Sequence, residues 1–190
     1  MEPNAWVAGT AVGALTLLDW IPVNYSGSSK RTPSVEDMTS PKPNVRGDFY
    51  AAIRSVTWSP PRIVYGPVWF ALYILMSIAM GYWWLSSVAT LDINRHRAIW
   101  IVYFVSLFFN KIWSFLFFGM RSSQGLVFAA VDAFLILATA IAEVVLFHVD
   151  NAPTITLVLW YIYIAWLAFA FGLSTSIAAN RKKIFQIYKE

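Results

Sequence analysis

Trp58-Ser59-Pro60-Pro61-Arg62-Ile63-Val64-Tyr65-Gly66-Pro67-Val68-Trp69-Phe70-Ala71-Leu72-Tyr73 is where a proline-stiffened turn runs straight into a long apolar segment. Pro60 and Pro61 remove two backbone donors and push Ser59 and Pro60 towards extended geometry, so the chain reaches the membrane already shaped. A helix can begin at or just after Pro61, where a missing N–H costs nothing, and Gly66-Pro67 predicts a second local irregularity a few residues on. Irregular backbone at membrane depth survives only where protein buries it or where it lines a cavity. Trp69, about two helical turns into the segment, is therefore a candidate cavity wall; the same spacing also fits a kinked helix end with an interfacial tryptophan.

Working outward, the composition is that of a polytopic membrane protein. Of 190 residues, 58% are hydrophobic and only 13% charged, against roughly a quarter charged in globular chains. Ten tryptophans, nine tyrosines and fourteen phenylalanines exceed what interfacial belts use and leave rings to pack between helices or to hold a flat apolar ligand. No cysteine is present, which removes disulfides, a thiolate nucleophile and a cysteine-ligated metal. His96 and His148 lack ligand spacing, so no metal site is expected. Glu2 stands where a cleavable signal would be basic. The +4 charge sits in loops and at the C-terminus and carries no nucleic-acid motif.

Five spans are predicted: 5–23, 62–88, 98–119, 125–148 and 154–180, an all-α five-helix bundle forming one membrane domain over 1–190. Residues 24–47 are polar and without apolar periodicity, a long loop, and 181–190 form a basic tail. Phe49-Tyr50-Ala51-Ala52-Ile53 turns apolar again ahead of the prolines and predicts a short amphipathic piece folding back as a lid. A polar turn is expected at Asp92, Asn94, Arg95, His96 and Arg97. Lys30, Arg31, Lys42, Arg46, Arg54, Arg62, Arg121, Arg181, Lys182, Lys183 and Lys189 fall on one side, and Arg95 and Arg97 on the other. The positive-inside rule then places the long loop and C-terminus in the cytosol.

Lys111 and Asp132 lie at matching depths of roughly 10–12 Å on neighbouring antiparallel spans, which predicts an intramembrane ion pair. Glu143, eleven residues after Asp132, shares its helix face, so a proton or cation path is an open reading. Asn110 is either a helix-to-helix hydrogen bond or a pocket donor. Ala5, Gly9 and Gly13, and again Ala168, Gly172 and Ser176, form small-residue stripes suited to close packing. Trp166, mid-span and off the second stripe, is predicted to point into a space that the stripe does not fill.

These residues resemble the TspO/MBR family of tryptophan-rich sensory and translocator proteins. The matching pieces are Tyr50-Ala51 with Trp58-x-Pro60-Pro61, Gly66-Pro67-Val68-Trp69-x-x-Leu72-Tyr73-x-x-Met76, Asn110-x-x-Trp113-Ser114 with Phe117-Phe118-Gly119, Asp132, and Tyr163-x-Ala165-Trp166-Leu167-Ala168-Phe169, in order over about residues 49–181. The resemblance implies a receptor or sensor binding tetrapyrroles, heme or protoporphyrin IX, and related flat ligands, with no obligatory cofactor. Phe49, Tyr50, Tyr65, Trp69, Asn110, Trp113, Trp166, Ala170 and Leu173 are the ligand-binding residues that it implies, with Arg54 and Arg62 as a basic rim. It implies a homodimer in contact with membrane lipids. The location would be the mitochondrial outer membrane or plant secretory membranes in a eukaryote and the envelope in a bacterium. Alternative roles are translocation of cholesterol or porphyrin and light-dependent porphyrin breakdown; no catalytic motif argues for ordinary enzymatic activity. The chain departs from the family at Phe49, Ser106, Lys111 and Ile162, and in a first loop longer by about twenty residues. Thr175 stands where the animal cholesterol-recognition segment has tyrosine, so sterols are a weaker partner class.

Overall fold

The computed structural model describes residues 49–87 and 93–189. The expected first span at 5–23, with its small-residue stripe, the loop at 24–47 and Asp92 lie outside the described residues, as does the side chain of Arg62. All regular structure described is helical: α1 Phe49–Val56, α2 Arg62–Ser87, α3 Ile93–Ser114 running into a π-helical turn Phe115–Gly119, α4 Ser123–Val149, α5 Thr154–Ala179 and α6 Arg181–Lys189.

Among the described residues, four helices are long and apolar enough to cross a membrane, at 25–27 residues each. At 1.5 Å per residue each exceeds the roughly 30 Å hydrocarbon core. Their outer faces carry Ile101, Phe104, Phe108, Val131, Phe134 and Val145 in the open, a continuous apolar surface that suits lipid and that water would penalise. The chain is an integral, multi-pass membrane protein.

Sequence explains where the helices start and stop. Pro61 precedes α2, and its carbonyl accepts from Val64 N–H at 3.0 Å. The irregularity expected at Gly66-Pro67 does not interrupt the helix: α2 runs through both residues. Pro67 lies near the helix start and forgoes only the bond to the Ile63 carbonyl. Ser122 caps α4, its hydroxyl accepting from Gly125 N–H at 2.9 Å. At the far end of α4, Asn151 adopts φ 53°. Ala152 N–H closes on the Phe147 carbonyl at 2.9 Å and Asn151 N–H on that of His148 at 3.2 Å, a left-handed helix stop suited to asparagine. Pro153 then starts α5.

Helix α3 packs on α4, α4 on α5, and α5 on α2. Helices α2 and α3 make little backbone contact and are bridged by rings instead, Trp83 on Trp100 at 5.8 Å and Trp69 on Trp113 at 6.1 Å. The end of the bundle at the α4–α5 turn is bonded across helices. Trp83 Nε1 donates to Asp150 Oδ2 at 2.7 Å, Thr156 Oγ1 to the Ala79 carbonyl, and Trp160 Nε1 to the Ala140 carbonyl. Asn94 to Arg97, expected in a turn, are instead the start of α3. His96 is buried there with its ring edge-on to Trp83 at 5.4 Å, and this packing holds the first turn of α3 in place.

At the other end, α6 follows α5 almost without a break, Ile184 N–H bonding the Asn180 carbonyl. The segment expected to be a basic tail is thus a helix, and α1 packs on it. The stripe Ala168, Gly172 and Ser176, expected against a neighbouring helix, lies on the outward side of this chain, with Ala168 and Gly172 exposed. The small residue that does set a close approach is Gly125. A β-carbon there would sit 2.8 Å from Met120 Cβ and 3.0 Å from the Leu116 carbonyl, whereas one at Gly172 meets nothing within 4 Å. Gly125→Ala is expected to destabilise the bundle by about 1–3 kcal/mol through overpacking. Gly172→Ala should stabilise it by up to about 1 kcal/mol through helix propensity. Thermal melts of helical circular dichroism in nanodiscs read both.

Candidate functional site

The residues of α2 at the proline end turn two rings inward one helical turn apart, Tyr65 and Trp69. Trp113 faces them from α3, and α5 contributes a stripe at helical spacing, Trp166, Ala170, Leu173, Ser174 and Ile177. Together with Phe117 they line a pocket of about 280 Å³, its mouth included. The π turn explains Phe117. One extra residue per turn, marked by Met120 N–H bonding the Phe115 carbonyl, rotates the helix end so that Phe117 is buried and stacked on Trp113 at 4.9 Å.

Trp69 is the hub. Its ring meets Tyr73 at 5.8 Å, Trp113 at 6.1 Å and Trp166 at 6.4 Å, the last edge to face at 90°. The two rings expected to flank a ligand are thus in contact with each other, and a flat molecule enters between them only when they part. Trp113 Nε1 and Trp166 Nε1 are buried without a hydrogen-bond partner. Each orphaned donor costs about 1–3 kcal/mol, a cost that a ligand with acceptors in that plane relieves.

The cover is built from the proline segment. Tyr50 of α1 donates to the Pro60 carbonyl at 2.7 Å and lies 3.1 Å from Ser59 Oγ, which lies 3.0 Å from the Tyr65 hydroxyl. With the Tyr50 proton committed to Pro60, Ser59 donates to Tyr50 and accepts from Tyr65. The Tyr50 and Tyr65 rings meet edge to face at 5.9 Å. Burial, the dominant cause, holds the Tyr50 phenol well above its ordinary range. Trp58, exposed, rests edge-on against Phe169 at 5.3 Å, and Phe169 stacks on Trp166 at 4.9 Å. The segment ahead of α2 therefore touches both walls of the pocket.

Of the residues named from sequence, the structure brings Tyr65, Trp69, Trp113, Trp166, Ala170 and Leu173 together and sets three elsewhere. Tyr50 belongs to the cover. Phe49 is buried against α6, 5.5 Å from both Phe185 and Tyr188. Asn110 is buried deeper, its amide donating to the Ser106 carbonyl at 2.8 Å and the Tyr163 hydroxyl at 3.0 Å, which ties α3 to α5. The same three- and four-residue spacing from Trp166 that gives Ala170 and Leu173 also gives Ser174 and Ile177; Phe117 needed the π turn, which the sequence does not announce.

Asp132 is buried on α4 with Oδ2 lacking a hydrogen-bond partner. Lys111 lies one residue, about 100° of helix, away from the core line of Asn110 and Trp113 and is only half-buried. Glu143 is fully buried with neither carboxylate oxygen hydrogen-bonded. Among the described residues no group of three His, Asp or Glu is placed to hold a metal.

The TspO/MBR family model matches residues 29–179. The chain belongs to the TspO/MBR family. Its relatives include a tryptophan-rich protein TspO of Archaeoglobus fulgidus, 30% identical over 137 residues, 68% of this chain and 77% of that one. A translocator protein of Bos taurus is 32% identical over 127 residues, 64% of this chain and 68% of that one. A tryptophan-rich sensory protein of Cereibacter sphaeroides is 32% identical over 128 residues, 67% and 73% respectively. These names are those of sensors and translocators rather than of enzymes.

Tyr50→Phe keeps the ring and removes the bond to Pro60, which should cost about 1 kcal/mol. The raised phenol adds a pH dependence of fixed sign. Above about pH 10 an unfolded tyrosine releases a proton that native Tyr50 retains. Its contribution is therefore fully present below about pH 10 and lost as pH rises beyond it. Wild type should lose stability more steeply than Tyr50→Phe between about pH 10 and 11, measured by thermal melts across that range.

Proposed function

We propose that this membrane protein is a receptor for flat, largely apolar ligands carrying hydrogen-bond acceptors, tetrapyrroles such as protoporphyrin IX or heme foremost, held between Trp69 and Trp166. The observation that carries the reading is the pair of unpartnered indole donors, Trp113 Nε1 and Trp166 Nε1, in an otherwise aromatic pocket. A macrocycle offers ring faces for Trp69, Trp166 and Phe117 and acceptor atoms at its edge for the two N–H groups. Apart from its open mouth the pocket encloses only about 10 Å³, far below the roughly 300–1,000 Å³ of ligand sites. Binding therefore separates Trp69 from Trp166 and lifts the cover at Tyr50. Charge supports an orientation with this mouth in the cytosol, since Arg121, Arg181, Lys182 and Lys183 all lie at this end.

The names of the relatives divide between sensing and translocation, and the pocket serves either. A sensor holds the ligand and signals through the cover; a translocator releases it to the other leaflet. Time-resolved porphyrin uptake into proteoliposomes separates them, since a receptor saturates at the protein concentration and a translocator exceeds it.

Protoporphyrin IX should quench tryptophan fluorescence saturably in nanodiscs. Trp166→Leu removes one ring face and one N–H donor, together about 2 kcal/mol, and should weaken binding by about thirtyfold. Trp113→Phe keeps an aromatic face and loses only the donor, so a loss of about fivefold is expected. Quenching that is unchanged in Trp166→Leu would place the ligand elsewhere.

A further inference from the structure

Helix α6 is two-faced. Ile184 is fully buried, and Phe185, Ile187 and Tyr188 pack inward with it, while Lys182, Lys183, Gln186 and Lys189 are exposed. The exposed residues follow the spacing of one helix face, and Arg181–Lys189 holds no acidic residue. The helix is also fixed in depth. Ala179 ends the spanning helix α5, Arg181 Nη1 donates to the Ala178 carbonyl at 2.9 Å, and the backbone continues through Asn180. Lys182 and Lys183 therefore follow the end of the span by three and four residues, at most about 6 Å of helix, within reach of the headgroup layer.

The buried face of α6 is what α1 rests on. Phe49 meets Phe185 and Tyr188, and Ile53 and Ile184 are both fully buried. Tyr50, the next residue of α1, closes the pocket wall through Ser59 and Tyr65. A continuous path of contacts thus runs from the exposed lysines through α6 and α1 to the cover.

We propose that α6 docks anionic lipid headgroups through Lys182, Lys183 and Lys189, and that this docking clamps α1 and the cover of the pocket. The partner is a lipid surface because the basic residues begin immediately after a spanning helix and line one face, the arrangement that a negatively charged leaflet attracts. Neutralising that leaflet loosens α6, then α1, and so eases access to Trp69 and Trp166. This consequence for the pocket rests on the function proposed above; the lipid contact itself does not.

The test is hydrogen exchange of the full chain, without ligand, in nanodiscs of phosphatidylcholine alone and of phosphatidylcholine with phosphatidylserine. Phosphatidylserine should slow exchange across both 49–56 and 181–189, on the order of tenfold, and about 1 M salt should abolish the difference. The surface variant K182Q/K183Q/K189Q should exchange in both lipids at the rate of wild type in phosphatidylcholine alone. Phe49→Ala should keep the lipid response of α6 and lose that of α1. Equal exchange of wild type in the two lipids overturns the proposal. So does a lysine variant that loosens α6 equally in both, which would point to an acidic protein segment as partner. Because no porphyrin is present, failure here leaves the quenching result standing, and failure of quenching leaves this one standing.

Discussion

The bulk of the Trp69 indole governs the bundle. A ring that size, in contact with Tyr73, Trp113 and Trp166 at once, cannot be accommodated where helix backbones approach closely. Helices α2 and α3 therefore stand apart, joined by ring contacts, while α3, α4 and α5 pack directly. In lipid, little hydrophobic force pulls helices together, so shape and hydrogen bonds decide which pairs close. A seam filled by rings is one that other rings can enter.

Hydrogen bonding divides the molecule along the same axis. At the α4–α5 turn, the indoles of Trp83 and Trp160 and the Thr156 hydroxyl all bond across helices; buried atoms without a hydrogen bond remain there on Trp84, His96 and Glu143. At the proline end, Trp113 and Trp166 keep buried donors without partners, and Asn110 keeps a buried Oδ1. A satisfied network in low dielectric rigidifies, and an unsatisfied one leaves its region ready to rearrange. Cross-helix bonds thus tie α2 to α4, α5 and their turn at one end, while at the other the unpartnered indole donors line the pocket.

What could be read from sequence follows the same physics. Apolar length placed three of the four described spans to within two residues, because lipid demands about twenty such residues in a row. Trp166 lines the pocket, as a mid-span ring off the small-residue stripe is expected to, and so does Trp69, read from its place two turns past the prolines. Tertiary choices were not legible. Whether Ala168 and Gly172 face a neighbour or the outside depends on rotation about the α5 axis, and the stripe alone does not fix that. The start of α3 at Ile93 instead of near Ala98 follows from His96 packing on Trp83 of α2, a tertiary contact that no local signal shows. The π turn is invisible for the same reason, since it is imposed by Phe117 finding Trp113.

The paired prolines then acquire a second purpose beyond starting a helix. Val64 N–H, the helical donor in register with the Pro60 carbonyl, bonds the Pro61 carbonyl instead, so the Pro60 carbonyl is free to accept from Tyr50. The cover is thereby fastened to the rigid segment that also begins α2, and Tyr65, on the first turns of that helix, shares the same hydroxyl chain through Ser59. Moving Tyr50 away exposes a carbonyl and a serine hydroxyl at the edge of the membrane, where water can answer both, so the cover opens at modest cost. Moving Trp69 from Trp166 exposes apolar ring faces that only another flat apolar surface covers well. The two events differ in what compensates them: water suffices for the cover, whereas water compensates the ring faces poorly.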